Sequence, residues 1–455
     1  MRRLCDNQEG NHNMSKISEM SKKYNLHSWS AQGKLNPMTV TKAEGIYFWD
    51  DAGKKYYDMS SQLVNSNLGH GNRAIIEAIK AQAEKMAFMG PGYAVDVRSE
   101  AARKLVEFAG PHFEGGKVFF TNAGAEANEN AIKFAKAFTG RWKIFSMYRS
   151  YHGATFGASA LNGEPRRWIA EPGVPGFIHF DGPYAYRAPK ACAFHSEEDV
   201  AAFYLELLEN QIRYENPEAV AAIFVETIVG SNGVLIPPKG YLKGVRELCD
   251  RYGILLVCDE VMAGFYRAGS KFAFMQFDIK PDIITFAKGS TCGYIPLGGV
   301  IVKKEIAAYF DDHKMFNGLT YSAHLMGCAA AVATIDEYER LGIEENVRKQ
   351  GKLLADSLDA IEKKHKSVGE VRHIGLFAMV EFVKDKASRE PLAPFNSDPA
   401  GHIAKIGAML KAEGFVTYAH ENMIIVAPPL TITEQELRDA LGILDRVLDS
   451  VDAMI

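Results

Sequence analysis

Two short apolar, β-branched runs, residues 254–257 in ILLVCDEV and 283–286 in DIITFAKG, constrain this chain more than any other feature. Their length and unbroken character belong to strands covered on both faces, which places them in a mainly parallel sheet. Each run is followed by a charged residue, Asp259 after the first and Lys288 after the second. The 29 positions between the two leave room for one strand to finish, cross over and be followed by another. In such sheets ligands sit beyond the carboxyl ends of the strands. A carboxylate and an amine gathered there suit pyridoxal phosphate, whose aldehyde needs a lysine and whose ring nitrogen needs an acid partner. On these two segments alone, an ordinary buried Asp–Lys ion pair is the competing reading.

At 455 residues the chain exceeds one simple core, and two domains are expected. Its 52 basic and 56 acidic residues nearly cancel, and no basic stripe suggests a nucleic-acid partner. Cys5, Cys192, Cys249, Cys258, Cys292 and Cys328 lack C-x-x-C spacing and read as reduced thiols of a cytoplasmic protein. The opening MRRLCDNQEGNHN has no apolar stretch of a secretion signal, and no later run reaches the ~18 apolar residues of a membrane span. Met14 is a candidate natural start, with residues 1–13 as a disordered or non-native extension.

Helical periodicity is expected at 73–86, 99–109, 126–138, 198–215 and 242–252, alternating with strands at 117–121, 143–147, 220–226, 254–259, 283–287 and 298–302. Residues 71–328 therefore read as the larger domain. Beyond 328 come helices at 329–340 and 344–365, strands at 375–383, 414–418 and 423–426, and a last helix opened by the capping box Thr433 to Glu436. With the hairpin-like GIYFWDDAGKKYYDMS, residues 14–70 and 329–455 are expected to form a smaller α+β domain from both chain ends.

TNAGAEANENAIKFAKAF joins a strand to a helix through small residues, so backbone amides at Gly124 and Ala125 can face an anion, here the cofactor phosphate. Tyr151 and His152 in SYHGAT place an aromatic pair near the ring, and Val261 in CDEV can cover its other face. Thr320 in GLTYSAH offers a loop hydroxyl to the phosphate. Each of these residues taken alone is also an ordinary core or loop residue.

TNAGAEAN, SYHGAT, VCDEVMAGFYRAG, FAKGSTCGYIPLGG, GLTYSAH and APPLTIT, in this order, resemble the class III aminotransferases, the ω-aminotransferase family of fold-type I pyridoxal phosphate enzymes. The resemblance runs from about residue 27 to the C-terminus. It implies Lys288 as Schiff-base lysine and proton shuttle, Asp259 as the pyridine partner and Tyr151 as the stacking ring. It also implies that Thr320 serves the phosphate of a neighbouring subunit, so that the working unit is a homodimer, alone or as a dimer of dimers. Two departures stand out. Ala125 replaces a usual Ser, and Tyr418 occupies the place of an arginine that clamps a substrate carboxylate in many members. Glu226 in VETIVG matches the acid that pairs with that arginine in some relatives.

LNGEPRRWIAEPGVPGFIHF and the following GPYAYR resemble taurine aminotransferases, which makes Arg166 or Arg167 the candidate reader of a substrate anion, by two forked hydrogen bonds. Trp29 in HSWSAQGKLNPM falls where relatives place a pocket-lining aromatic. The expected activity is ping-pong transamination of a small ω-amino acid or aminosulfonate, taurine first, with 2-oxoglutarate or pyruvate as acceptor. β-Alanine or 4-aminobutyrate is the alternative donor. A mutase, racemase or decarboxylase of the same fold and a non-catalytic cofactor-binding protein are the remaining readings.

Overall fold

The computed structural model describes residues 15–188, 192 and 194–455. The expected extension at 1–13, Met14 and Cys5 lie outside the described residues. A seven-stranded sheet forms the centre: β1 (Lys117–Thr121), β2 (Lys143–Met147), β3 (Phe177–Phe180), β4 (Val220–Glu226), β5 (Leu255–Asp259), β6 (Ile283–Phe286) and β7 (Gly298–Val302). Their spatial order is β1-β7-β6-β5-β4-β2-β3. Every residue of β4, β5, β6 and β7 is buried, the burial expected of strands covered on both faces.

The sheet is parallel from β6 through β5, β4 and β2 to β3. The exception is β7, which runs antiparallel to both β6 and β1. Strand β3, with sequence FIHF, is absent from the sequence expectations. It is four residues long and half-buried, so it lacks the dense apolar run that marks its neighbours.

A four-stranded sheet joins the two chain ends: Val40–Glu44, Tyr47–Asp50 and Lys55–Asp58 make an antiparallel meander to which Phe415–Val416 adds in parallel. A further antiparallel sheet contains Val368–Ile374, Phe377–Asp385, Met423–Val426 and Ala419–His420. The last helix, Glu434–Asp452, starts with both halves of the Thr433–Glu436 capping box in place. The helix expected from 329 begins earlier, as Leu325–Arg340, and so crosses position 328. It packs on Arg73–Lys85 and Asp96–Phe108, and its buried run of alanines is small enough to seat helix against helix. The architecture is the α/β large sheet plus smaller α+β part that characterises fold-type I.

Cys249, Cys258, Cys292 and Cys328 are buried free thiols, and Cys192 is half-buried and free. Among the described residues no helix is long and apolar enough to cross a membrane. No group of three metal-ligating side chains occurs among them either.

Candidate active site

The carboxyl ends of the parallel strands gather the chemistry. Glu226 ends β4, Asp259 ends β5 beside it in register, and Lys288 follows β6 by two residues. Lys288 has φ 46°, a left-handed conformation that costs a non-glycine residue on the order of 1 kcal/mol and persists where the surroundings over-determine it. Behind it, a Cβ on Gly289 would meet Asn67 Nδ2 at 2.7 Å and Phe265 Cβ at 2.8 Å, so the turn is packed to contact.

Asp259 is held on both oxygens. Oδ1 accepts from the Val261 backbone N–H at 2.9 Å. Oδ2 accepts from Asn128 Nδ2 at 2.8 Å and lies 2.7 Å from His152 Nδ1. Because a carboxylate oxygen accepts, that nitrogen is assigned the proton. His152 therefore serves the aspartate directly. Glu226, also buried, accepts from the Tyr151 N–H at 2.7 Å and from the Gly230 N–H at 2.8 Å. Its hydrogen-bond partners among the described residues are thus backbone amides, with no arginine among them. The resemblance left the partner of Glu226 open, and the fold supplies these two amides.

The electrostatics follow from burial. The Lys288 amine is depressed to about 8 by desolvation and by the Arg166 charge, against the opposing pull of Glu226 and Asp259. The Glu226 carboxyl is pushed up to about 7, mainly by burial with Asp259 adding to it, while His152 and the two amides oppose. Burial and Glu226 raise the Tyr418 phenol, against the opposing Arg166 charge. His420 is lowered to about 4 by burial and by the charges of Arg166 and Arg149. Arg166 thus acts electrostatically on both Lys288 and Tyr418.

Arg166 itself is firmly placed. Its Nε donates to Glu164 at 2.7 Å, its Nη2 to Ser231 Oγ at 3.0 Å, and its guanidinium lies 3.8 Å from the centre of the Tyr151 ring. Arg167 points elsewhere: it pairs with Glu171 and lies over Tyr148. Trp29 is 64% exposed, and Thr320 is exposed on its turn; within one chain neither joins the cluster.

Several members of the site carry no sequence signal. Asn128 and Ser231 reach Asp259 and Arg166 across 131 and 65 positions, Glu164 is an acid two residues before the arginine it orients, and His420 feels the charge of Arg166. Arg149 and Glu421 form a further ion pair at 2.9 Å, and both hold left-handed backbone, φ 66° and φ 52°.

The family pattern aminotransferase class-III matches residues 29–448. The chain belongs to the class III aminotransferases. The structure is similar to the taurine:2-oxoglutarate aminotransferase of Bifidobacterium kashiwanohense, solved with PLP and glutamate, with a TM-score of 0.93 and 47% identity over 98% of this chain and 99% of that one. In sequence the enzyme is 30% identical to the taurine–pyruvate aminotransferase of Bilophila wadsworthia, over 96% of this chain and 98% of the relative. It is 31% identical to a probable gamma-aminobutyrate transaminase of Oryza sativa, over 92% of this chain and 88% of the relative.

The aminotransferase's cofactor is pyridoxal 5′-phosphate, and the residues present fit it. Helix Gly124–Thr139 (α1) starts with no side-chain cap from Ala123, so its first amides are open to a phosphate. Two glycines keep the approach to this helix start narrow. A Cβ on Gly124 would meet both Val261 methyls at 3.0 Å, and one on Gly153, at φ 138°, would meet Ala125 Cα at 2.7 Å. Ala125 contributes no hydroxyl, so a phosphate at this helix start would meet backbone amides there.

The shifted glutamate has a measurable consequence in the apoenzyme. Glu226 titrates near 4.5 when unfolded and near 7 when folded, so the stability it contributes is full below about pH 4.5 and is lost as pH rises through about 7. The size of that loss is on the order of 3 kcal/mol. Glu226→Gln is expected to flatten the fall of the urea midpoint between these values, and an unaltered slope would assign the fall to other groups.

Proposed function

We propose that the enzyme transfers the amino group of taurine, or of a similarly small ω-amino acid, to an oxo acid, 2-oxoglutarate or pyruvate. The observation that carries this reading is the fixed position of Arg166, a guanidinium oriented by Glu164 and Ser231 against Tyr151, with its charge acting on Lys288. Its forked donors suit the three oxygens of a sulfonate or the two of a carboxylate. Tyr418 in place of a cation fits a donor with no carboxylate on the reacting carbon. The similarity to two taurine aminotransferases supports the same reading. β-Alanine and 4-aminobutyrate share the terminal amine and distant anion, and the rice relative makes them the second choice.

When bound, the cofactor supplies an electron sink for the charge left as the substrate carbon loses its proton. Within this reading the chain's own residues divide the work. Amides of Gly124 and Ala125 hold the phosphate. Asp259 would accept from the ring nitrogen and keep it protonated, and Val261 and Tyr151 would bracket the ring. The guanidinium covers one face of the Tyr151 ring, so a pyridine would stack on the other. Lys288 would take the proton from the donor carbon and carry it, a role suited to an amine depressed to about 8. The amino nitrogen goes to the oxo acid and the carbonyl oxygen reaches the donor through water, in two half-reactions. Thr320 on its exposed turn is assigned to the phosphate of a second copy, and Trp29 to the pocket wall, so the working unit is a homodimer.

Arg166→Ala is expected to raise KM for taurine by about 2 kcal/mol or more, roughly 30-fold, and to raise KM for the oxo acid with it. An uncharged primary amine should be affected far less. Steady-state kinetics with both donors checks this, and equal losses for the two would remove Arg166 as the anion reader.

A further inference from the structure

We infer that Asn128, supported by Thr285, is a positioning residue that sets which oxygen of Asp259 is presented to the cofactor's ring nitrogen. The inference rests on the reading of Asp259 as the ring-nitrogen partner. Asn128 is 1% exposed and uses every part of its amide. Its Nδ2 donates to Asp259 Oδ2 and to the His152 carbonyl oxygen, both at 2.8 Å. Its Oδ1 accepts from the Thr285 hydroxyl at 2.9 Å. Two acceptors facing one end of the amide fix its orientation, since the flipped amide would set oxygen against oxygen in a buried site.

With Asn128 and His152 both on Oδ2, and only the Val261 amide on Oδ1, the remaining acceptor capacity of the carboxylate lies on Oδ1. That oxygen is left for the ring N–H. The placement of Asn128 extends the argument. It stands one turn into α1, four residues beyond Gly124, so the helix that offers its amides to the phosphate also carries the side chain that orients the aspartate. Thr285 lies on β6, three residues before Lys288. A single buried amide therefore registers the phosphate helix, the aspartate strand and the lysine strand against one another. Groups that touch the two ends of a rigid ring have to be held within about 0.5 Å of each other's frame to act together.

Asn128→Ala and Thr285→Val test this, with Asp259→Asn as the reference, in enzyme loaded with cofactor labelled with 15N at the ring nitrogen. The expected result is a kcat lower by on the order of 10-fold to 10²-fold for Asn128→Ala and a smaller loss for Thr285→Val, with little change in KM. The ring 15N signal should move toward that of unprotonated pyridine in both, in the direction set by Asp259→Asn. Thr285→Val exchanges one hydroxyl for a methyl and keeps the test open if Asn128→Ala does not fold. An unmoved 15N signal in a folded variant, or kcat and KM worsening together with that signal unmoved, overturns the inference. If Asp259→Asn also leaves the signal in place, the reading of Asp259 fails instead.

Discussion

Lys288→Ala is expected to yield a folded protein that binds pyridoxal 5′-phosphate without a covalent bond and turns over on the order of 10⁴-fold more slowly. The expectation follows from the arrangement at the strand ends. Lys288 is the amine set beside Asp259 and Glu226, and burial together with Arg166 brings its proton affinity down to about 8, where it can both take and give a proton near neutrality. In the proposed mechanism, removing it takes away the covalent anchor and the proton carrier together. Equilibrium dialysis, the absorbance of the bound cofactor and steady-state rates check the three parts. Turnover near that of the parent enzyme would mean another group moves the proton.

Asp259→Asn is expected to keep the cofactor bound and to slow turnover by roughly 10³-fold, or about 4 kcal/mol. The carboxylate accepts three hydrogen bonds, from Val261, Asn128 and His152. An asparagine there has to turn its NH2 toward one of those donors and can no longer present a charge to the ring nitrogen. The variant's rate and the protonation of the ring nitrogen are expected to fall together. A loss of less than about tenfold would show that the ring nitrogen is served by another acid.

The two strand-end charges were legible because strands covered on both faces write themselves as dense apolar runs, so a charge at the close of one stands out. That is why Asp259 and Lys288, and the strands that carry them, emerge from the residues alone. Strand direction does not, since GGVIV of β7 reads the same parallel or antiparallel. Strand β3 was missed because FIHF has a single fully buried residue. Asn128 was hidden for a different reason. Inside TNAGAEANENAIKF it looks like one more polar position on a helix, and its partners at His152, Asp259 and Thr285 lie 24, 131 and 157 positions away. Glu226 stands out in the sequence as an acid closing a strand, but its partners are backbone amides, which no side-chain pattern announces. Arg166 and Arg167 differ in surroundings that the sequence does not show, since Ser231 and the Tyr151 ring are brought to Arg166 by the fold.

The most direct measurement of the account is a single half-reaction. Loaded enzyme is mixed with taurine and no oxo acid, and the aldehyde released is counted against active sites, before 2-oxoglutarate or pyruvate is added and the new amino acid is counted. The account predicts one aldehyde per site, then one amino acid per site, with Arg166→Ala strongly impaired at low taurine. Release of no aldehyde from taurine, while an uncharged amine gives one per site, would contradict it.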